Sequence, residues 1–309
     1  MLKRQINSVK KESKLTFFLN DEFVFEDDLF ISPLDRGFQF GDGVFETIKA
    51  VNSVPFRLPQ HYERMISTAK FLDIIEVLSL EKVADIISEL IKRNDLINAQ
   101  IRLTISSGKE GSSSPTFLVS AKPFKPYPEK LYQDGAIIIN SKYRKCELTP
   151  AARIKTTSYE ENLILRREAK SLDCLESVVC NHDNFICEGS FSNVFAIIDG
   201  KVVTPDDDLP VLPGVTRQTV IEICKENAIE VMEDRFFLED FLSAEEVFLS
   251  STLMDIMPVI KVLTYPEHDR TSGSALKINV IGTGKPGPIT TKLMKLFEQK
   301  INVECGHKK

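Results

Sequence analysis

Long apolar runs are missing from this 309-residue chain, and none approaches the ~20 residues that cross a bilayer. Histidine is scarce as well: the only four, His61, His182, His268 and His307, stand far apart. The six cysteines, Cys146, Cys174, Cys180, Cys187, Cys224 and Cys305, contain no C-x-x-C pair. That spacing speaks against a metal site and against a disulfide framework, and no metal is expected. Scattered thiols in apolar or helical segments fit a reducing cytoplasm. Positive charge is also in deficit. With 39 Lys and Arg against 45 Asp and Glu, the formal charge is −6 and the isoelectric point near 5.5, which argues against a nucleic-acid binder with its basic stripe. The opening residues M-L-K-R-Q-I-N-S-V-K-K-E-S-K are basic yet lack the apolar core of a signal peptide, so residues 1–14 read as a solvated arm. G-D-G at 41–43 is not followed by the lysine and hydroxyl of a P-loop. Internal repeats and low-complexity tracts are absent too.

What is there is an ordinary globular composition, long enough for one large or two medium domains of ~100–200 residues. Periodicity points to an α/β chain in two parts. Thr16–Leu19 and Glu22–Phe25 flank Asn20-Asp21 as a tight hairpin. Gly37, Gly41 and Gly43 in D-R-G-F-Q-F-G-D-G read as a loop into a strand over 44–51. Pro59 opens a helix with Tyr62, Met65, Ile66, Ala69 and Leu72 as its buried stripe and Arg64 at the border. A second amphipathic helix is expected over 81–93, then strands Ala99–Ser106 and 116–121. Pro123, Pro126 and Pro128 favour an extended connector. The expected boundaries are therefore an N-terminal α/β domain over 15–122, a linker over 123–130 and a C-terminal domain over 131–309. The second part should hold a strand over 136–140, a hairpin of 177–180 and 185–187, and another of Asn193–Ile198 and Lys201–Thr204 around Asp199-Gly200. A strand over 247–249 leads to the loop S-S-T-L-M-D, and a last helix follows G-K-P-G-P.

Two residues in the second part suggest chemistry. Ser158 and Glu161 form an S-x-x-E capping box, so a helix should start at Tyr159 or Glu160. Lys155 then lies in the turn before it, free to enter a cleft. Glu188 ends a short strand at a Gly-Ser turn. A lysine amine and a carboxylate on a rigid frame suit pyridoxal phosphate chemistry. The amine forms a Schiff base with the aldehyde, and the carboxylate keeps the pyridine nitrogen protonated so that the ring accepts electrons. Alone, the pair is weak evidence, because a lysine before a helix is usually just solvated. In L-P-G-V-T-R-Q-T-V, Pro213-Gly214 turns into a helix near Thr216, which sets the Val215 and Thr216 amides at a helix N-terminus. Unpaired N–H groups and the positive dipole end make that a place for an anion, although an ordinary helix start is the commoner case.

Five stretches, D-R-G-F-Q-F-G-D-G-V-F-E-T, H-Y-E-R-M, I-K-T-T-S-Y, E-G-S-F-S-N-V-F and L-P-G-V-T-R-Q-T-V, occur in the order found in class IV aminotransferases. The chain resembles that family, the fold-type IV pyridoxal phosphate enzymes, over nearly its whole length. The resemblance implies a two-domain α/β fold with pyridoxal 5'-phosphate in the interdomain cleft, and a homodimer acting on small-molecule substrates, an amino acid and a 2-oxo acid. It implies that Lys155 is the Schiff-base lysine and proton shuttle, and that Glu188 pairs with the pyridine nitrogen. Arg64, the Val215 and Thr216 amides, the Thr216 hydroxyl and Thr252 would hold the phosphate. Leu212 would pack on the ring with Asn193 beside it, and the backbone at Thr252 and Leu253 would meet a substrate carboxylate.

The family includes branched-chain aminotransferases, D-amino acid aminotransferases and 4-amino-4-deoxychorismate lyases, and the residues leave the choice among them open. Branched-chain enzymes usually carry a tyrosine five residues after the lysine and another where Phe40 stands; here Tyr159 follows Lys155 by four. D-amino acid enzymes place a tyrosine where Phe45 stands, with an arginine and a histidine in the loop that here reads G-K-E-G-S-S-S. Lyases share the D-R-G-F-Q-F-G-D-G opening. Phe38, Phe40 and Phe45 are candidates for an apolar substrate pocket, and Arg102 and Lys109 for holding a substrate carboxylate. The expected activity is transfer of an amino group from an amino acid to a 2-oxo acid, with release of pyruvate by a lyase as the alternative.

Overall fold

Asn20 adopts φ 55° and turns strand β1 (Thr16–Leu19) back onto β2 (Glu22–Phe25), as the Asn-Asp pair predicts. The computed structural model describes residues 15–75, 77–111, 114–266 and 275–306. The N-terminal arm, Ser112 and Ser113 of the 108–114 loop, His268 and His307 lie outside the described residues.

The hairpin edges an antiparallel sheet in the order β2-β1-β6-β5-β3-β4, with β3 (Gly43–Val51), β4 (Val54–Pro55), β5 (Ala99–Ser106) and β6 (Thr116–Pro123). Side chains alternate across β3. Val44, Ile48 and Ala50 enter an apolar core with Ile101, Leu103 and Ile105, and the opposite face carries Phe45 and Thr47. Helices α2 (Leu58–Phe71) and α3 (Leu80–Arg93) cover the core face. All five inward positions expected on α3 are buried. On α2 the stripe is shifted: Leu58, His61, Met65, Thr68 and Ala69 are buried, while Tyr62, Ile66 and Leu72 are only half-buried. The polar His61 and Thr68 faces hold partners on the sheet and on the helix itself, which apolar periodicity does not register. The glycine-rich segment before β3 is not plain loop either. Asp35 accepts the Gly37 N–H at 2.8 Å and caps a short helix α1 (Arg36–Phe40).

The chain passes to a second sheet through residues 124–135, which include helix α4 (Glu129–Asp134). There follow β7 (Ala136–Arg144), α5 (Glu160–Ser171), β8 (Glu176–Cys180), β9 (Ile186–Gly189), β10 (Asn193–Ile198), β11 (Lys201–Thr204), α6 (Val215–Glu226) and β12 (Val231–Glu233). Then come α7 (Leu238–Ser243), β13 (Glu246–Ser251), β14 (Asp255–Thr264), β15 (Lys277–Val280) and α8 (Pro288–Cys305). The path β12-β11-β10-β13-β14-β7-β8-β9 curls round until β9 pairs with β10 through Glu188 opposite Asn193. Helices α6 and α8 pack on its outer face through Val220, Ile223, Leu293 and Phe297.

One local expectation fails and one strand goes unforeseen, each for a physical reason. The Ser158–Glu161 capping box does not form; Tyr159 is the N-cap and no side chain caps it. The preceding residues are taken up by β3, where Thr156 bridges Val44 and the Thr157 N–H bonds the Gly43 carbonyl at 2.8 Å. Strand β14 escapes sequence reading because Pro258 interrupts it, and proline normally argues against a central strand. The ladder accommodates it with a register shift toward β7 between Val259 and Lys261.

Candidate active site

Lys155 is held at the seam between the two sheets. Its carbonyl accepts the Phe45 N–H at 3.2 Å, so a short antiparallel contact fastens it to the first residues of β3. This close approach explains Gly41, whose φ is +70° and whose missing Cβ would lie 2.9 Å from the Ser158 Cα. The Lys155 Nζ lies 4.5 Å from the centre of the Phe45 ring and 5.6 Å from that of Tyr159, and these rings meet edge to face. Burial and the nearby Arg64 cation push the Lys155 amine down to about 8.

Around it opens a cavity of about 660 Å³. Glu188 enters from the closure of the second sheet, and one of its oxygens accepts the Leu212 N–H at 2.7 Å. Asn193, opposite Glu188 in the ladder, donates to the Leu212 carbonyl at 2.9 Å, so both residues brace the L-P-G turn before α6. That turn needs its glycine, since a Cβ on Gly214 would fall 2.0 Å from the Asn193 Oδ1. Gly214, the N-cap of α6, brings no capping side chain, so the first-turn amides at Val215 and Thr216 have no intrahelical carbonyl to bond. Arg64 reaches the same corner from α2 and donates to the Pro213 carbonyl at 2.9 Å.

The residue that aims Arg64 is Glu46, which sequence reading passes over. It is fully buried, on the helix-facing side of β3. Its oxygens take the Arg64 Nε and Nη2 groups, each at 2.7 Å, and the His61 Nδ1 at 2.8 Å. Burial alone would raise the Glu46 carboxyl, but Arg64 and His61 hold it well below the ordinary carboxylate range. Burial also lowers the His61 imidazole. A signal existed: Glu46 shares strand alternation with Val44, Ile48 and Ala50, and a carboxylate on a buried face needs a partner.

Of the candidates from sequence, Phe45, Arg64, Arg102, Lys155, Glu188, Asn193, Leu212, Val215, Thr216, Thr252 and Leu253 all line this cavity. Phe40 does not. It projects from α1 into solvent with Arg36 over its ring, and Phe38 and Lys109 are exposed as well. Tyr159, whose place was open, stands in the cavity wall, its hydroxyl donating to the Ser190 carbonyl at 3.3 Å. Ser250 was missed; it lines the cavity, and its buried Oγ has no hydrogen-bond partner among the described residues.

Residues 43–262 match the family described as amino-transferase class IV. The chain belongs to the class IV aminotransferases. Among class IV relatives, a Methanocaldococcus jannaschii protein bearing the name of a branched-chain-amino-acid aminotransferase is 31% identical over 304 residues, covering 95% of this chain and 99% of its own. An aminodeoxychorismate lyase of Bacillus subtilis is 30% identical over 272 residues, 84% of this chain and 92% of that one. The solved branched-chain amino acid aminotransferase of Escherichia coli superposes with a TM-score of 0.85 at 26% identity, over 96% of this chain and 97% of that one. The mixed α/β fold-type IV architecture is thus the one expected. Class IV aminotransferases are pyridoxal 5'-phosphate enzymes. The cavity suits that group: it offers an amine of lowered pKa, a carboxylate, a guanidinium beside free helix amides, and the orphaned Ser250 hydroxyl.

Proposed function

We propose that this protein moves an amino group from an amino acid to a 2-oxo acid. The observation that carries the reading is the convergence of Lys155, Glu188, Arg64 and the first turn of α6 on one cavity. Pyridoxal 5'-phosphate, when bound, supplies the aldehyde carbon that takes the amino group and a ring that accepts electrons. Lys155 holds the cofactor through its amine. Its Nζ, when free, would take a proton from the donor's α-carbon and give it to the carbon that receives the amino group, a role that the lowered pKa favours. Glu188 would pair with the ring nitrogen and keep it protonated. Arg64, the Val215 and Thr216 amides, the Thr216 hydroxyl and Thr252 would hold the phosphate. Leu212 backs the ring. Phe45, Tyr159 and Phe191 wall the site against water.

Arg102 supports a carboxylate-bearing substrate. It stands opposite Thr47 in the β3–β5 ladder, its guanidinium 3.4 Å from the Phe45 ring centre. Burial lowers it to about 10, and no carboxylate among the described residues pairs with it. With the Thr252–Leu253 backbone, Arg102 would orient a substrate carboxylate. Similarity to the Bacillus subtilis lyase sustains a second reading, release of pyruvate from 4-amino-4-deoxychorismate. Incubating holoenzyme with single L- and D-amino acids separates the two. Conversion of the cofactor to its pyridoxamine form is the expected result. Pyruvate release from aminodeoxychorismate, with no such conversion by any amino acid, would replace the first reading with the second.

The reading extends to a homodimer in the cytoplasm. Phe30, Phe38 and Phe40 are 71%, 77% and 63% exposed within one short stretch, an apolar surface that a second copy would cover. The six cysteines are free thiols, which suits a reducing compartment. Sedimentation should give twice the chain mass, and Phe38→Glu should shift it toward the monomer; a monomeric wild type would end this part of the proposal.

A further inference from the structure

Both oxygens of Glu188 already have donors from this chain. Oε2 accepts the Leu212 N–H at 2.7 Å, and Oε1 is paired with the Lys145 ammonium. Lys145 follows the end of β7, where its backbone N–H is fixed by the Cys180 carbonyl at 2.9 Å. Its side chain is 13% exposed and lines the same cavity as Lys155. The cavity therefore holds a second amine, placed not at the reacting end but against the carboxylate. A carboxylate accepts at roughly four lone-pair positions, so a third donor is geometrically admissible. A protonated ring nitrogen, however, brings a positive charge to the oxygen that a positive charge already occupies, and like charges at close range in a partly desolvated site repel.

We propose that Lys145 is a positioning residue that competes with the ring nitrogen of pyridoxal 5'-phosphate for the Glu188 carboxylate. The inference rests on the role given to Glu188 above. Lys145 keeps Glu188 paired at the cavity wall. Binding requires the ammonium to yield or share Oε1, so apparent affinity is reduced by the fraction of molecules in which that oxygen is available. Lys145 thereby sets how firmly the cofactor is held at its nitrogen end, independently of the phosphate contacts at the other.

The test is a titration of cofactor-free protein with pyridoxal 5'-phosphate, read by absorbance and by quenching of tyrosine fluorescence. Lys145→Met should bind about tenfold more tightly than wild type, the gain expected if Oε1 is available in one molecule in ten. Lys145→Arg should bind like wild type. In a Glu188→Gln background the Lys145→Met change should have no effect on affinity, because the contested carboxylate charge is gone. Structural damage does not tighten binding, so a gain identifies competition; Lys145→Gln is the second neutral replacement should the methionine variant fold poorly. Wild-type binding with both neutral variants unchanged or weaker overturns this inference alone. A wild type that takes up no cofactor overturns the proposed function and this inference with it.

Discussion

Lys155→Ala should lower turnover by about 10,000-fold or more, the upper end of what a positioned acid–base group contributes, while the melting temperature changes little. The variant removes both the amine that fastens the cofactor and the base that moves the proton. The fold should survive because Lys155 is held through its backbone, by the Phe45 N–H, rather than through its side chain. Trapping with borohydride and digestion should put the cofactor adduct on Lys155 in wild type and nowhere in the variant. An adduct on another lysine would sink the assignment. The lowered pKa gives a second handle. The amine should react with acetic anhydride with a midpoint of about 8, against 10.5 for an ordinary lysine, and Arg64→Gln should move that midpoint upward by removing the nearby cation. The folded value lies below the unfolded one, so the unfolded chain binds more protons between the two, and stability rises with pH across that window.

Arg64→Gln should weaken pyridoxal 5'-phosphate binding by about 100-fold, because one charge-assisted contact to the phosphate is worth roughly 1.5–3 kcal/mol. It should also destabilise the protein, because it strips two of the three donors from buried Glu46. The two effects come apart in a double variant. Arg64→Gln with Glu46→Gln removes the uncompensated charge and should recover much of the stability but none of the affinity. Glu46→Gln alone should weaken binding less, since the guanidinium remains but is no longer clasped from behind. The acid limb of stability should change too. The folded Glu46 pKa lies far below its ordinary value of 4.5, so its contribution is fully present above that value and is lost as pH falls toward the folded one. Glu46→Gln should flatten that decline. Retention of full cofactor affinity by Arg64→Gln, measured by titration, would remove Arg64 from the phosphate site.

Local chemistry written in consecutive residues was legible before any coordinates. Hairpins at Asn20-Asp21 and Asp199-Gly200, the inward face of α3 and the Gly214 helix start follow from turn chemistry and from helical and strand periods. Lys155 and Glu188 stood out for their residue types beside a helix start and a turn, and the five motifs tied them to a family. Phe40 is exposed on the short helix α1 while Phe45 lines the cavity, a separation that five residues of sequence do not reveal. Tyr159 could not be placed because a single residue of spacing decides which side of a helix entry it takes.

The order of strand-forming and helix-forming segments, and the identity of the amine, the carboxylate and the glycine turn, were set by the chain's own alternation of apolar and special residues. Those signals act over a few residues, where steric and hydrogen-bonding preferences do not depend on distant partners. Which charges meet was decided only in three dimensions. Glu46 and Arg64, Glu188 and Lys145, and Lys155 and the start of β3 are separated by 18, 43 and about 110 residues, and no local preference encodes their approach. Glu46 and Arg64 meet between β3 and α2, and the other two meet where the second sheet closes and where residues 155–157 pair with β3, places that exist only once the chain has folded.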